Sequence, residues 1–355
     1  MTLRSTFKLV LEWAFRWIPV ETEPGLRIFG NPNRSSPVLL TCNYDLTVRK
    51  VSRYLRGIDC YLLVAPSRGI NVWCASCGGD LNEHSVISVI RSSRIDEKVD
   101  HRTLILPQLS APGIAVDRVK EETGWSVNFG PVYAEDIPAF LEKGSKDPKM
   151  RSVRFDIAQR LEMATIYFVT VGLILLVLLL LFFRTHAADV LGLTAVMIYG
   201  MYIAFPLFPF SSGFLNTALS EAVTATAILS GSTALTGRPL GLAHLLITSL
   251  IVSAIVGLDF NGTSPTHKSD LGDFLYRRWR KRMRFLTGVY ELGTYGDVVL
   301  NSEACLGCGI CIDVCPKGVF EIRPAANTVK IARPGECVNC GACIAQCPAD
   351  CLEIA

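Results

Sequence analysis

Gly69-Ile70-Asn71-Val72-Trp73-Cys74-Ala75-Ser76-Cys77-Gly78-Gly79-Asp80 decides the fold of the front of the chain. It follows an apolar run, Tyr61-Leu-Leu-Val-Ala-Pro66, that reads as a buried strand. It precedes Leu81 to Ile90, whose apolar residues recur at helical spacing. A cysteine therefore sits where a strand hands over to a helix. In an open α/β sheet that end of the strand is where ligands bind. A thiol near a helix N-terminus also has its thiolate favoured by the helix dipole and the free backbone N–H groups. Cys74 is thus placed to be a metal ligand or nucleophile. The alternative is a half-buried structural cysteine.

Working outward, the same βα pattern repeats. Val38-Leu-Leu-Thr41-Cys42-Asn43 reads as a strand and Leu46 to Leu55 as a helix. Thr103-Leu-Ile-Leu-Pro107 is another strand, and Gly113 to Thr123 has helical spacing with Pro112 near its start. Ser126-Val-Asn-Phe129 is a further strand, and Ile137 to Leu141 opens a last helix. Strands alternating with helices predict a mostly parallel sheet covered on both faces. This α/β domain is placed at 36–160, behind an N-terminal amphipathic segment, 1–35, in which Phe7 to Ile18 carries Trp13 and Trp17. That segment either lies on a membrane surface or packs on the neighbouring domain.

Composition sets the class. Half of the 355 residues are apolar, only 19% are charged, and the mean hydropathy is +0.35. These values point to a membrane protein with soluble parts. A net charge of +3 is too small to argue for nucleic acid. Ala164 to Phe183 is 20 residues without a charge, which predicts a transmembrane helix. Val190 to Phe210, Phe214 to Leu235 and Pro239 to Leu258 give three more, so a helical membrane domain of about four spans is expected over 161–260. Lysines and arginines flank the block: Lys146, Lys149, Arg151 and Arg154 before it, and Arg277 to Arg284 in a basic linker, 261–290, after it. Cytoplasmic flanks carry such an excess. The expectation is a multi-pass protein of the cytoplasmic membrane with both soluble domains facing the cytoplasm. Glu221, in the weakest span, is either a functional intramembrane carboxylate or an interfacial or hydrogen-bonded one. No secretory signal is evident, because Lys8, Glu12 and Arg16 interrupt the N-terminal apolar run.

The tail, 291–355, reads Cys305-x2-Cys308-x2-Cys311-x3-Cys315-Pro316 and then Cys337-x2-Cys340-x2-Cys343-x3-Cys347-Pro348. This is the spacing of the bacterial two-cluster ferredoxin, present twice. In such proteins the fourth cysteine, before proline, ligates the other cluster. Cys305, Cys308, Cys311 and Cys347 would hold one [4Fe-4S] cluster, and Cys337, Cys340, Cys343 and Cys315 a second. Structural zinc and disulfides are the alternatives. Thiols of this kind must stay reduced, which again places the tail in the cytosol. Cys351 lies outside the pattern: a mobile thiol for a soft metal, or an ordinary buried cysteine. A ferredoxin passes single electrons and has no substrate pocket, so an acceptor is required. Cys74 marks the other candidate redox centre of this chain.

Asn71-Val72-Trp73-Cys74-Ala75-Ser76 resembles the cobalt-binding loop of the mercury-methylating corrinoid proteins, and the tail resembles their small two-cluster partner ferredoxin. Thr41-Cys42-Asn43, His101 to Gly113 and Gly130-Pro131 to Phe140 extend the likeness. The resemblance implies a Rossmann-like corrinoid-binding domain, a membrane domain and a ferredoxin, fused in one chain. It implies Cys74 as lower axial ligand of cobalt. A thiolate trans to the methyl group would push electron density onto the metal, as it does for haem iron, and favour release of an electron-rich methyl group to Hg(II). Thr41, Cys42, Asn43, Asn71, Val72, Trp73, Ala75, Pro107, Gln108, Gly130 and Pro131 would line the corrinoid. A folate- or pterin-type methyl donor and a low-potential electron donor are the implied partners. Two departures stand out. The family loop continues into Gly-Lys-Gly where this chain has Cys77-Gly78-Gly79, which loses the lysine and gains a second thiol. The partner ferredoxin ends in a cysteine pair, whereas here only Cys351 is near Ala355.

Three functions follow as expectations: a membrane-bound corrinoid iron–sulfur methyltransferase acting on Hg(II); the same scaffold as a methyl carrier or methyltransferase for another acceptor; and a membrane electron-transfer ferredoxin lacking corrinoid.

Overall fold

The computed structural model describes residues 19–182, 187–204, 207 and 297–354. Gly25–Phe29 (β1), Val38–Cys42 (β2), Cys60–Ala65 (β3), Thr103–Leu106 (β4) and Ser126–Phe129 (β5) form one sheet, in the order β1-β3-β2-β4-β5. Strands β3, β2, β4 and β5 run parallel, and β1 pairs antiparallel to β3 at the edge. β2 and β3 are buried along their whole length, as central parallel strands with both faces covered must be.

The alternation of side chains along these strands builds two cores. Val38, Leu40, Tyr61, Leu63 and Leu104 face the helices Glu83–Ser93 (α3) and Val116–Thr123 (α4), meeting Val86, Ile87, Ile90 and Val119. Leu39, Cys60, Leu62 and Val64 face the other way. They meet Val48, Val51 and Leu55, on or just beyond the helix Asp45–Tyr54 (α1), and Ile137 of the helix Ile137–Lys143 (α5). α3 starts where Asn82 Oδ1 accepts from the Ser85 N–H at 3.1 Å, an ordinary side-chain N-cap.

Several boundaries differ from expectation for local reasons. β1 lies inside the stretch assigned to the N-terminal segment 1–35, so the sheet begins before residue 36. Its pairing with β3 holds it there although its own residues are only half-buried. Cys74 does not sit in a loop but within a short helix, Val72–Cys77 (α2), that precedes α3. The helix predicted from Gly113 begins instead at Val116. Pro112 belongs to a 3-10 segment, Gln108–Gly113, ahead of it. The helix Ile157–Phe182 already starts within 36–160.

The C-terminal tail pairs Val298–Leu300 (β6) with Leu352–Ile354 (β9), and folds Phe320–Arg323 (β7) against Thr328–Ile331 (β8). Two short helices, each entered through a glycine, lie between. After Pro148–Arg151 (α6), Ile157–Phe182 (α7) and Ala187–Ala204 (α8), they are Ile310–Val314 (α9) and Ala342–Ala345 (α10). The α/β domain and the tail fall in one compact unit, and α7 with α8 in another.

In that second unit α7 and α8 pack through Ala164, Leu175, Met197, Ile198, Met201 and Tyr202. The Thr165 hydroxyl lies 2.8 Å from the Tyr199 hydroxyl, and Arg160 donates to the Ile203 carbonyl at 2.8 Å. Leu173, Ile174, Val177, Leu180 and Leu181 of α7 are exposed. Among the described residues, one helix is long and apolar enough to cross a membrane, over Ile157–Val177. The first expected span falls on α7, and the second overlaps α8. The third and fourth spans, Glu221, the basic linker and Phe7 to Ile18 lie outside the described residues.

Candidate functional site

β2 and β3 are paired at five positions, Val38 to Cys42, whereas β2 and β4 are paired at only two, Val38 with Leu104 and Leu39 with Ile105. Beyond Leu39 the two central strands part. Their onward connections also run in opposite directions, to β3 on one side and β5 on the other, which is the switch point where open α/β sheets bind ligands. A crevice of about 230 Å³, open to solvent at its mouth, occupies this gap. That is somewhat below the usual range of small-molecule and cofactor sites, roughly 300–1,000 Å³, so a large cofactor would lie partly outside it. Its walls are largely apolar and include Leu40, Ile105, Leu106 and Val132.

Of the residues expected to line a cofactor, Thr41, Asn71, Val72, Trp73, Pro107, Gly130 and Pro131 do line the crevice. Cys42 and Asn43 do not: both are buried behind it. Asn43 Oδ1 accepts from the Ser67 N–H, the Ser67 hydroxyl and the Gly69 N–H, each at 2.9 Å, and so fastens the loop leading into α2. Ala75 is in the core. Gln108 is buried and bonded elsewhere: its amide donates to the Arg151 carbonyl at 2.7 Å. Thr47, Lys50 and Tyr133 line the crevice without having been singled out by sequence. Their motif-free positions on α1 and after β5 carry no spacing signal.

Cys74, half-buried, lies one helical position beyond the crevice-lining Trp73. Asn71 holds it twice. Asn71 Oδ1 accepts from the Cys74 N–H at 3.0 Å, capping α2, and Asn71 Nδ2 donates to Cys74 Sγ at 3.3 Å. An amide donor on sulfur favours the thiolate form. Cys77, in the same short helix, is buried, and burial pushes its thiol up. The charges of Cys340 and Cys74 add to that rise, in that order. Cys77 therefore lies within electrostatic reach of both the α/β thiol and a tail thiol.

In the tail, the thirteen cysteines' eight motif members separate into two cavities. One is lined by Cys305, Cys308, Cys311 and Cys347. The other is lined by Cys315, Cys337, Cys340 and Cys343. The exchange of the fourth cysteine between the two motifs is thus present in the fold. All cysteines are free thiols, and among the described residues no three His, Cys, Asp or Glu side chains close around a single metal ion. Gly309 and Gly341, with φ of 75° and 72°, take the left-handed backbone that turns each motif into its short helix. Burial pushes the thiols of Cys311 and Cys340 up to about 12. Neighbouring sulfurs add to this rise. Cys351 completes the wall of the first cavity, 3.4 Å from Cys347 Sγ.

The tail also touches the α/β domain. Gln346 donates from Nε2 to the carbonyls of Ala111 at 2.7 Å and Ile114 at 2.8 Å. Lys146 reaches the Asp313 carboxylate at 2.8 Å and the Asp313 carbonyl at 3.0 Å. The Val153 N–H donates to the Pro316 carbonyl at 2.9 Å.

With this geometry in place, comparison with known proteins is specific in both halves. Residues 15–141 match the family model of the CO dehydrogenase/acetyl-CoA synthase delta subunit. Residues 297–348 match the 4Fe-4S dicluster domain. The front of the chain is thus similar to the delta-subunit family and its tail to the 4Fe-4S dicluster domain. Relatives of the delta-type domain include the acetyl-CoA decarbonylase/synthase complex subunit gamma of Methanopyrus kandleri, 40% identical over 127 residues, 35% of this chain and 27% of the relative. Those of Archaeoglobus fulgidus and Methanothermobacter thermautotrophicus are 38% and 37% identical over the same length and shares. The chain spans about a quarter of the length of the curated relatives it matches. These relatives are named for acetyl-CoA decarbonylase/synthase and not for mercury, so the likeness they carry is broader than the one drawn from the Asn71–Ser76 loop.

Proposed function

We propose that this chain is a corrinoid-dependent methyl carrier with its own electron supply: the delta-type domain holds the corrinoid and the tail holds two [4Fe-4S] clusters. The observation that carries the reading is the switch-point crevice, walled by Thr41, Asn71, Val72, Trp73 and Pro107, with Cys74 next to Trp73 on the same short helix and its sulfur held by Asn71. An apolar, open-mouthed slot of this size suits one face or edge of a flat macrocycle that remains partly open to solvent. When bound, a corrinoid supplies a cobalt centre able to take up and give away a methyl group.

The chain's own residues do the rest. Asn71 fixes the Cys74 sulfur and supports its thiolate form. The apolar walls at Leu40, Ile105 and Val132 exclude water from one face of the slot. Asn43 keeps the approach loop rigid. The two four-cysteine cavities fit two iron–sulfur clusters, and their contact with the delta-type domain supports electron delivery within one molecule.

The methyl acceptor is a class rather than a single compound. The gamma-subunit relatives support a carrier that passes the methyl group to a partner's acceptor. Hg(II) is the narrower reading, favoured by the Asn71-Val-Trp-Cys74 stretch alone. We also propose a membrane location. Residues 111 and 346 are hydrogen-bonded, so they share one side of any bilayer, which supports an even number of crossings between them.

The deciding experiment is anaerobic purification with cobalt, iron and sulfide analysis, followed by methyl-transfer assays with Hg(II) and with thiol or metal-bound acceptors. Bound cobalt that is lost in Cys74→Ala supports the reading. Iron and sulfide with no cobalt under any loading condition would replace it with a pure electron-transfer protein. Methylmercury formed by wild type but not by Cys74→Ala would establish the narrower reading.

A further inference from the structure

The two cysteine motifs are repeats, so their second cysteines, Cys308 and Cys340, occupy equivalent places. The fold treats them differently. Cys308 is exposed, and its neighbour Leu306 is 66% exposed. Cys340 is packed against the core of the α/β domain, in the cluster that contains Ala75, Leu81, Ala111 and Ile114. Val314 and Ala342 of the tail are members of that same core. The two cavities are therefore not interchangeable: one looks outward and the other inward.

The contact is built on the 3-10 segment Gln108–Gly113. On one side it packs against α2, the helix of Cys74 and Cys77. A Cβ at Gly113 would stand 2.4 Å from the Ser76 carbonyl oxygen, so the two backbones are in direct contact. On the other side it receives Gln346, which is 5% exposed and spends both amide hydrogens on Ala111 and Ile114. At its head, Gln108 Oε1 accepts from Lys146 at 3.3 Å, and Lys146 holds Asp313 of the tail. Burying a glutamine and a lysine for five polar contacts fixes position more than it adds stability.

We infer that Gln346 and Lys146 are docking residues. They lock the tail in cis with its Cys340 side against the helix of Cys74, so that the Cys315/Cys337/Cys340/Cys343 centre is the electron outlet and the Cys305/Cys308/Cys311/Cys347 centre the inlet. The exchange is a one-electron transfer. An external low-potential carrier would be oxidised by one electron at the Cys308 side, and the corrinoid cobalt proposed for the α/β domain would be reduced by one. No atom moves with the electron. The direction of flow rests on the function proposed above; the docking does not.

The test uses the full chain with its iron–sulfur centres assembled and no corrinoid, so its failure is separate from failure of the methyl-carrier reading. A nitroxide on Cys74 reports relaxation enhancement from the reduced centres. Cys337→Ala should remove most of the enhancement, and Cys305→Ala should leave most of it. Equal loss in both, or the reverse order, overturns the assignment. In parallel, hydrogen exchange across residues 108–114 should quicken at least roughly tenfold in a Gln346→Ala, Lys146→Met double variant that keeps its iron, as expected when four hydrogen bonds and an ion pair are lost. Unchanged protection there would overturn the docking.

Discussion

Lys146 and Asp313 are 167 positions apart in the chain, yet their side chains meet at 2.8 Å, with the lysine 3% exposed and the aspartate 43%. The lysine is the buried end of the pair. Burial holds its ammonium below the ordinary lysine range, and Asp313 only partly offsets this.

A pH dependence follows from that direction. The folded-state value lies below the unfolded one of 10.5, so between the two the unfolded chain binds more protons. Stability of the docked tail should rise with pH through this window, and the rise should be missing in Lys146→Met. Denaturant titrations of both proteins at pH 8 and pH 10 measure the difference. Asp313→Ala should lower stability by about 1–3 kcal/mol, because the lysine then remains buried with only amide and carbonyl partners.

Asn71 is expected to control the reactivity of Cys74. Asn71→Ala removes an N-cap, worth about 0.5–2 kcal/mol, and the amide donor on sulfur. Asn71→Asp keeps the cap acceptor but sets a negative charge near the sulfur. Alkylation of Cys74 by iodoacetamide, followed by mass spectrometry, should slow in both, and more in the aspartate variant. Equal rates in all three proteins would remove this role from Asn71.

Asn43→Ala should behave as a structural lesion rather than a ligand lesion. It deletes three accepted hydrogen bonds at a buried site, a loss of about 2–4 kcal/mol. Thermal unfolding should report it directly. Restoring the loop with a stabilising additive should restore the labelling pattern of Cys74.

Iron content tests the crossing of the fourth cysteines. Wild type should hold about eight irons per chain, two four-iron centres. Cys347→Ala should lose the centre of Cys305, Cys308 and Cys311, although Cys347 belongs by sequence to the other motif. Electron paramagnetic resonance of the remaining centre in Cys347→Ala should therefore match that in Cys305→Ala and differ from that in Cys337→Ala.

Gly113→Ala should disturb both neighbours of the 3-10 segment at once. The added methyl would meet backbone, the Ser76 carbonyl oxygen at 2.4 Å and the Leu81 carbonyl oxygen at 2.9 Å, neither of which can swing aside. A destabilisation of about 1–3 kcal/mol is expected, together with faster exchange in α2.

The parallel strands were legible because their apolar runs are continuous and bounded by turns, and four of them fall within a residue or two of their observed limits. β1 was not, since Leu26-Arg27-Ile28 is short, charged at its centre and held by its partner rather than by its own pattern. Six residues of α2 are too few to show a period. Pro112 read as a helix start, but the tight turn it permits is a 3-10 segment. At the site, the residues adjoining strand ends were found by position, whereas Lys50 and Tyr133 enter the crevice from elements with no motif. Gln346 carries no signal, and Lys146 reads only as part of the basic flank before the apolar block; each is an ordinary polar residue until a distant part of the chain arrives.

That arrival has a consequence for biogenesis. Ala111, Ile114 and Lys146 belong to the first half of the compact unit, and their partners Gln346 and Asp313 are made much later, so during that interval the nascent chain presents an unfinished face. Closing so long a loop costs only slowly more as it lengthens, and the two halves should find each other even when supplied as separate polypeptides.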